Sequence, residues 1–371
     1  MKNIICTAIL LFLSCKSETR EIVASESKEL KELQSKLDAL FNDQIDPDEP
    51  GAALLVAYDG EMLIGKGYGL RDVSANQPIT KSTNLRMGSI SKQFTALSIL
   101  QLVDAGKINL NDSVYSFFPV ESFKDGTTLE ELLNHTSGKQ DAEEAFFTEW
   151  DSTKVAENKD ILAWYQHQNR TITPHGEEFQ YNNGIYELIP CIVEKVSGQK
   201  FAEYAKTYVF DKAGMEGTNF FDLAHPIDIQ ERAYCYEEDA QGNWKKVDGH
   251  FLNGLLGAGG VYTSVNDYFR YDQALRNGML LSDATAELIF KPSSQFTMND
   301  KEMHYAMGWM VTDSTAMHTG GWFGTNTFTK RYLNKPLTIA IFMNRNTLFD
   351  DDLVEKTDSL VLAYIKLLEE K

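Results

Sequence analysis

Ser89-Ile90-Ser91-Lys92 immediately precedes a strongly apolar segment of this chain. The apolar residues of that segment have the spacing of a buried helix and are Phe94, Leu97, Ile99, Leu100, Leu102 and Val103. Residues three apart on a helix share a face, so Lys92 can bring its side-chain nitrogen to the Ser89 hydroxyl. A serine hydroxyl becomes a nucleophile when a neighbouring group takes its proton. The same tetrapeptide also fits a capping serine and a surface lysine, so other motifs must decide between the two interpretations.

Two later stretches carry polar groups that suit the same chemistry. Tyr181-Asn182-Asn183 offers a phenol that can relay protons and an amide that can both donate and accept hydrogen bonds. His318-Thr319-Gly320-Gly321 lies between two strand-like segments, and its glycine pair leaves room for a ligand backbone beside the strand. Taken one at a time, Tyr181 also fits a core tyrosine and His318 a surface histidine.

In this order and at these spacings, the three motifs resemble the active-site boxes of the β-lactamase-related serine hydrolases. That superfamily holds class C β-lactamases, DD-peptidases and carboxylesterases of the same fold. Three further segments resemble its loop after the nucleophile helix, its glycine turn and its tyrosine–glycine–tryptophan strand, and they are residues 132–138, 257–264 and 305–309. The resemblance covers residues 26–371 and implies a β-lactamase/transpeptidase-like fold.

The resemblance also implies a mechanism and a set of site residues. Ser89 would attack an ester or amide carbonyl and form an acyl-enzyme, which water then hydrolyses. Lys92 and Tyr181 would share the proton transfers, with the formal base left open between them, and Asn183 would orient Lys92 and the substrate. The backbone N–H groups of Ser89 and Gly321 would form the oxyanion hole. The implied catalytic residues are Ser89, Lys92, Tyr181, Asn183 and His318, and the implied substrate-binding residues are Ser89, Thr319, Gly320 and Gly321. The resemblance implies no cofactor and no metal.

Strand patterns lie near both ends of the chain and helical patterns lie between them. Two apolar segments flank Asp59-Gly60, which is a strong signal for a two-residue hairpin. Further strand patterns cover residues 305–311, 325–333 and 337–344, and amphipathic helices are predicted at residues 30–41 and 353–368. A helical subdomain is expected at residues 105–250. The sequence therefore predicts an α+β fold of the α/β-sandwich type, in which one antiparallel sheet built from both chain ends is flanked by helices and carries a helical insertion.

Charge and the N-terminal residues bear on partners and location. The chain has 371 residues and a net charge of −19, which argues against a nucleic-acid partner because phosphate binding needs a basic face. Residues 1–14 contain an apolar run shorter than the ~20 residues that span a bilayer, as is typical of a signal peptide. Leu13-Ser14-Cys15 resembles a bacterial lipobox, in which the cysteine is lipidated.

This pattern predicts an exported protein that is lipid-anchored to a bacterial membrane and faces the periplasm or the cell surface. Residues 15–25 would carry the lipidated Cys15 and the tether, and residues 26–371 would form the hydrolase domain. The anchor would be the protein's sole membrane contact. A plain secretory signal or a chance cysteine is the alternative interpretation.

The cysteines and one competing serine complete the candidate chemistry. Cys191 and Cys235 are expected to be two buried free thiols, although an oxidising compartment would permit a disulfide between them. No cysteine–histidine cluster has zinc-ligand spacing. Ser137 and His135 could pair as nucleophile and base, but they lie in a segment that reads as a turn. The chain has no Gly-x-Ser-x-Gly motif, which argues against an α/β-hydrolase.

Two departures from the resembled pattern bear on the substrate. His318 stands where a lysine is common, and an unperturbed histidine (pKa ~6.5) is mostly neutral at pH 7 and gains its charge toward pH 6. An ungapped comparison puts Phe349 and Asp352, beside Asp350 and Asp351, where class C β-lactamases hold the antibiotic carboxylate with asparagine and arginine. These carboxylates would repel an anionic ligand. The favoured partners are therefore neutral small-molecule or peptide esters and amides.

The sequence favours an esterase or amidase that acts through an acyl-enzyme. The alternatives are a D-Ala-D-Ala carboxypeptidase or D-aminopeptidase-type peptidase, then a class C-like β-lactamase, and, outside enzymes, a non-catalytic lipid-tethered scaffold. If carboxylate-bearing substrates were preferred, an arginine would have to reach the site, and Arg345 and Arg331 are the first to examine.

Overall fold

The computed structural model describes residues 27–167, 171–346 and 351–370. Its α-helices are α1 (Lys28–Asn42), α2 (Ser91–Asp104), α3 (Val114–Phe117), α4 (Leu129–Leu133), α5 (Ala142–Glu149), α6 (Asn158–His167), α7 (Asn183–Ser197), α8 (Phe201–Ala205), α9 (Val265–Arg276), α10 (Asp283–Ala286) and α11 (Asp351–Glu369). Its strands are β1 (Ala52–Tyr58), β2 (Glu61–Tyr68), β3 (Leu70–Asp72), β4 (Gln77–Pro78), β5 (Leu85–Arg86), β6 (Asn219–Phe220), β7 (Tyr236–Glu238), β8 (Trp244–Lys246), β9 (Val261–Thr263), β10 (Ser294–Met298), β11 (Lys301–Ala306), β12 (Trp309–Val311), β13 (Thr315–Trp322), β14 (Thr325–Tyr332) and β15 (Leu337–Met343). The expected signal peptide at residues 1–14, the segment 15–25 with Cys15, and residues Phe349 and Asp350 lie outside the described residues.

Eight of the described strands form one antiparallel sheet in the order β10-β11-β12-β13-β14-β15-β1-β2. β1 pairs on one side with β2 and on the other with β15, where Ala52 lies opposite Met343. Asp59 and Gly60 connect β1 to β2 with φ angles of 49° and 81°, as a tight two-residue hairpin requires. The predicted α+β fold, with one antiparallel sheet built from both chain ends, is confirmed.

Helices cover both faces of this sheet. Leu54 of β1 belongs to an apolar cluster with Leu37 of α1 and Val361 of α11. Leu55, the next residue of the same strand, belongs to the larger cluster that includes Phe94 of α2. Successive side chains of a strand point to opposite faces, so the two terminal helices cover one face and α2 lies on the other.

The segment 305–311, predicted as one strand, is instead the end of β11, a turn and the start of β12. Met307 and Gly308 have φ angles of 46° and 86°, so the chain reverses at these two residues. A Cβ on Gly308 would lie 2.8 Å from backbone atoms of Lys92 and Gln93. This turn therefore packs directly against α2, which is buried from Ser91 through Leu102.

None of the helices in the described residues is long and apolar enough to cross a membrane.

Candidate active site

The Ser89 turn lies at the N-terminal end of α2. A single turn of 3-10 helix, Gly88–Ile90, carries Ser89 and leads directly into α2, so the serine lies just outside the α-helix and Lys92 lies in its first turn. Lys92 is fully buried, and its Nζ donates a hydrogen bond to Ser89 Oγ at 3.1 Å. The two side chains therefore meet as their three-residue spacing predicts.

Two further acceptors fix the Lys92 side chain. Its Nζ donates to Asn183 Oδ1 at 2.7 Å and to the Ala258 carbonyl at 3.1 Å. With Ser89 Oγ these acceptors match the three donors of an ammonium group. Two residues that are far apart in the sequence, Asn183 and Ala258, therefore hold the lysine nitrogen next to Ser89.

Asn183 is itself oriented by two acidic residues. Its side-chain Nδ2 donates to Glu143 Oε1 at 2.8 Å, which leaves Oδ1 to face Lys92. The Asp141 carboxylate accepts from the backbone N–H groups of Asn183 at 2.7 Å and Gly184 at 2.9 Å. Asp141 also caps α5, so one carboxylate accepts hydrogen bonds from the first N–H groups of both α5 and α7. Its negative charge is favourable next to the positive ends of the two helix dipoles.

Glu143 and Glu187 form a buried carboxyl pair behind Asn183. Burial raises the pKa of Glu143, and burial followed by the charge of Glu143 raises the pKa of Glu187 well above its usual range. One carboxylate oxygen of Glu187 is buried without a hydrogen-bond partner. Two such groups favour a form that shares one proton, which leaves one negative charge to balance the Lys92 cation.

Tyr181 contacts the site through its ring. Lys92 Nζ lies 4.7 Å from the ring centroid, and the ring of His135 lies 4.4 Å away between centroids. The residue is 38% exposed, and its hydroxyl has no hydrogen-bond partner among the described residues. The phenol oxygen is therefore free to meet a substrate or a water molecule.

His318 is a buried neutral histidine on β13. Its Nδ1 lies 2.5 Å from the Thr319 carbonyl and its Nε2 lies 3.0 Å from the Tyr305 hydroxyl, so Nδ1–H donates and Nε2 accepts from the phenol. Burial first, and then the nearby Lys92 charge, lowers the pKa of His318 to about 3. The expectation that His318 would become cationic toward pH 6 is therefore wrong, because the buried ring stays neutral there.

The glycine pair of β13 lies beside the Ser89 turn. A Cβ on Gly320 would lie 2.2 Å from the Met87 carbonyl and 3.1 Å from Ser89 N. The space beside Gly320 is therefore filled by the backbone of residues 87–89. The expectation that Gly320 leaves room for a ligand is wrong. Gly321 is exposed, as is Thr319, and a Cβ there would meet no atom closer than 3.8 Å. This packing brings the backbones of Ser89 and Gly321 next to each other.

A small, partly open cavity of about 40 Å³ lies beside Ser89. Leu252 and Leu255 contribute apolar walls. Its polar lining includes Ser89, Asn183, Glu143, Glu187 and Arg86. Tyr181 and His318 are not among the residues that line it, so the cavity lies on the Asn183 side of Ser89.

The charged residues that the sequence placed near the substrate lie elsewhere. Asp352 is on α11, where it forms an ion pair with Lys356 on the outer side of the terminal helices. The ungapped comparison is therefore wrong for this residue. Arg331 is paired with Asp272, and Arg345 is paired with Glu49 at 3.4 Å. Neither arginine lines the cavity.

The remaining predicted residues do not join the site as reactive groups. Cys191 and Cys235 are free thiols, as expected, with Cys235 buried and Cys191 half-buried. Burial raises the pKa of each thiol to about 12. His135 is buried and accepts a hydrogen bond from Asn182 N at 3.1 Å, and Ser137 Oγ accepts one from Lys139 N at 3.4 Å. These contacts place both residues in a structural turn.

Sequence reasoning missed several residues of the site. Asp141 is followed at the third position by Glu144, which is a helix-capping pattern that could have marked the start of α5. Arg86 gives no comparable signal beyond its place three residues before Ser89. Glu143 gives none, because the packing of α5 against α7 is what brings it to Asn183. Glu187 lies four residues after Asn183 on α7, so helical spacing could have marked it.

This arrangement is typical of the β-lactamase-type serine hydrolases: a serine turn contacts a buried lysine and lies beside a glycine-bearing strand of a helix-covered antiparallel sheet. The chain belongs to the beta-lactamase family, whose family model matches residues 37–363. Members of this family are serine hydrolases, which supports an enzyme of that class.

Individual relatives agree with this assignment. Penicillin-binding protein 4* of Bacillus subtilis (strain 168) is 30% identical over 325 residues, which cover 83% of this chain and 71% of that protein. The penicillin-binding protein homologue of Pyrococcus abyssi has a TM-score of 0.79 at 24% identity, covering 90% of this chain and 77% of that chain. D-amino acid amidase of Ochrobactrum anthropi SV3 has a TM-score of 0.76 at 20% identity, covering 91% and 99%. The two solved structures support the fold.

Proposed function

We propose that the protein hydrolyses esters or amides through an acyl-enzyme formed on Ser89. The observation that carries this proposal is the buried Lys92 nitrogen, which lies 3.1 Å from Ser89 Oγ and is held there by Asn183 and Ala258. A serine in this setting has a proton acceptor within hydrogen-bond reach and a cavity for the substrate beside it.

In acylation a bond forms between Ser89 Oγ and the carbonyl carbon. The Oγ proton passes to Lys92 or Tyr181 and then to the leaving nitrogen or oxygen, as the bond from that atom to the carbonyl carbon breaks. Lys92 can act as the base in its neutral form. Tyr181 is the other candidate, because its ring centroid lies 4.7 Å from Lys92 Nζ. Water releases the acyl group by the same proton path in reverse.

The Ser89 and Gly321 N–H groups are the proposed oxyanion hole. Their adjacency follows from the packing of the Ser89 turn against Gly320, and the Thr327 hydroxyl donates to the Met87 carbonyl at this contact. Loss of one such donor typically lowers the rate by about 10²–10³.

A fluorophosphonate probe tests the nucleophile. We expect one phosphonyl group per chain, located by mass spectrometry on the peptide that carries Ser89, and no labelling of Ser89→Ala. Ser137→Ala is the matched control and should label like the wild type. An adduct on Ser91 or Ser137 would overturn the assignment, and a chain that never labels would favour the non-catalytic scaffold.

Hydrolysis of D-amino-acid peptides is the second candidate function. It is favoured by the 30% identity to the Bacillus subtilis penicillin-binding protein over most of this chain. Initial rates on short-chain p-nitrophenyl esters, D-amino acid amides, D-Ala-D-Ala peptides and nitrocefin, each with Ser89→Ala as blank, separate the two candidates. Faster turnover of the D-peptides than of the esters would favour the peptidase, and rapid nitrocefin hydrolysis would favour a β-lactamase.

We also propose that the protein is exported and anchored through a lipidated Cys15, on the strength of Leu13-Ser14-Cys15. In a bacterial host the wild type should fractionate with membranes and carry the added mass of the lipid. Cys15→Ala should move the protein to the soluble extracytoplasmic fraction. Unchanged mass and fractionation in that variant would contradict the anchor.

A further inference from the structure

We propose that Arg86 binds a carboxylate carried by the acyl part of the substrate. This inference rests on the proposed function, because the ligand it describes is the group that Ser89 would acquire. Arg86 is also a cation that lines the cavity, whereas Arg331 and Arg345, the arginines that the sequence analysis named for this role, do not.

Arg86 is a buried charge without a partner. The residue is 4% exposed, and among the described residues its guanidinium has neither a carboxylate within ion-pair distance nor a hydrogen-bond acceptor. Its described contact is the ring of Tyr262, whose centroid lies 5.8 Å from Arg86 Cζ. An unpaired buried cation is costly, so a position that retains one points to a ligand that supplies the missing charge.

Two other buried arginines each form an ion pair with an acidic residue. Arg331 is 6% exposed and pairs with Asp272, and Arg345 is 7% exposed and pairs with Glu49. Arg86 is more buried than either but has no acid. Asp248, which accepts from the Tyr262 hydroxyl at 3.4 Å, is already paired with the half-buried Arg232 at 3.3 Å.

The location of Arg86 connects it to the reaction. Arg86 lines the same cavity as Ser89, and Leu252 and Leu255 lower the local polarity there. Of the two other ionisable residues of the cavity, Glu143 is linked to Lys92 through Asn183, and Glu187 interacts with Glu143. A guanidinium in such surroundings suits a carboxylate, which it can hold through two parallel hydrogen bonds.

We place the acyl side of the substrate in this cavity. If Tyr181 gives the proton to the leaving group, that group departs outside the cavity, because Tyr181 does not line it. The carbonyl carbon is held at Ser89 Oγ and its oxygen at the Ser89 and Gly321 N–H groups. The substituent that extends into the cavity toward Arg86 is then the one that stays on the enzyme.

Two substrates with one leaving group test the inference. Mono-p-nitrophenyl adipate and its methyl ester differ only in the charge at the end of the acyl chain. We expect the wild type to show a kcat/KM at least tenfold higher for the acid, after subtraction of the rate with Ser89→Ala. In Arg86→Met this ratio should fall by tenfold or more, and in Arg86→Lys it should be intermediate, because lysine keeps the charge and loses the bidentate geometry.

The ratio is measured within each variant, so a general loss of stability cancels. Arg345→Lys is the control, since that buried arginine lies outside the cavity, and it should keep the wild-type ratio. If Arg86→Met does not fold, Arg86→Lys carries the test, with an expected severalfold fall in the ratio. Equal ratios in the wild type and either folded Arg86 variant would overturn the inference.

A binding measurement separates this inference from the proposed function. Calorimetric titration of the folded Ser89→Ala protein with monomethyl adipate needs no turnover. Saturable binding that Arg86→Met abolishes in the same background supports the carboxylate site even if no ester is hydrolysed. Turnover of the methyl ester without any binding of monomethyl adipate, or without any Arg86 dependence, supports the hydrolase and overturns the role of Arg86.

Discussion

Lys92 is fully buried and still contacts the proposed nucleophile. It has no exposed surface, and its nitrogen is surrounded by three acceptors, of which two are structural and one is Ser89 Oγ. Its charge is balanced by the Glu143 and Glu187 pair beyond Asn183, and Lys92 is one of the groups that lower the pKa of Glu143. The lysine is thereby held at the serine without a direct ion pair that would occupy its nitrogen.

His318 makes a prediction about stability at the same scale. Its folded-state pKa is about 3, whereas the unfolded chain takes up a proton near pH ~6.5. The neutral ring therefore stabilises the fold above pH ~6.5, and this contribution is lost as the pH falls toward the folded-state value, by up to about 1.4 kcal/mol per pH unit. His318→Gln removes this titration, while an amide can still donate to the Thr319 carbonyl and accept from Tyr305.

Urea unfolding from pH 7 to pH 5 measures this effect. The free energy of unfolding should fall with pH more steeply in the wild type than in His318→Gln, by about 1 kcal/mol per pH unit. The buried His135 is present in both proteins, so its contribution cancels in the comparison. Parallel curves for the two proteins would mean that His318 is accessible to protons in the folded state.

At the scale of elements, the site depends on how closely β13 approaches the Ser89 turn. β12 pairs with β13 only at Ala316 and Met317, so the β13 edge from His318 onward faces the turn instead of a strand. Gly320 permits this approach, because any Cβ there would meet the Met87 carbonyl at 2.2 Å. Strand and turn together bring the proposed oxyanion donors to Ser89.

A pair of glycine substitutions on β13 tests this arrangement. Gly320→Ala should force the turn away from the strand, lower kcat on a neutral ester by at least about 10², as loss of an oxyanion donor does, and lower the melting temperature. Gly321→Ala is the matched control for stability, since a Cβ there has 3.8 Å of free space, and its melting temperature should equal that of the wild type. Equal melting temperatures and rates for Gly320→Ala and the wild type would contradict the close packing.

Sequence patterns predicted the parts of this arrangement that depend on local spacing. Ser89 and Lys92 are three residues apart, and the Asp59-Gly60 hairpin is encoded by two residues, so periodicity and turn chemistry suffice for both. The turn at Met307 was missed because Met307 adopts a positive φ, which is uncommon for a residue other than glycine, and methionine is not a turn signal in a sequence. Contacts such as Asn183 with Glu143, or Arg86 with the cavity, join residues that are brought together by tertiary packing and leave no periodic signal.

At the scale of the whole molecule, strands from the N-terminal and C-terminal parts of the chain pair side by side in the sheet that supports the site. β1 lies between β2 and β15, and α1 packs with α11 over the face that points away from Ser89. The site residues lie on the opposite face, on elements that depend on this sheet for their positions. Stability contributed by the terminal helices should therefore be separable from catalysis.

Leu37 and Leu367 provide the test of that separation. Leu37 of α1 is fully buried between the sheet and α11, whereas Leu367 of α11 is 49% exposed. Leu37→Ala should lower the free energy of unfolding by about 2–5 kcal/mol, because it removes buried methyl groups and leaves a cavity, while Leu367→Ala should change it by about 0.5 kcal/mol or less. At a temperature where both variants are folded, kcat on a neutral ester should equal the wild-type value, since neither side chain lies on the Ser89 face. A fall in kcat for folded Leu37→Ala would show that packing on the outer face is transmitted through β1 to the nucleophile, and the terminal helices would then be part of the catalytic apparatus.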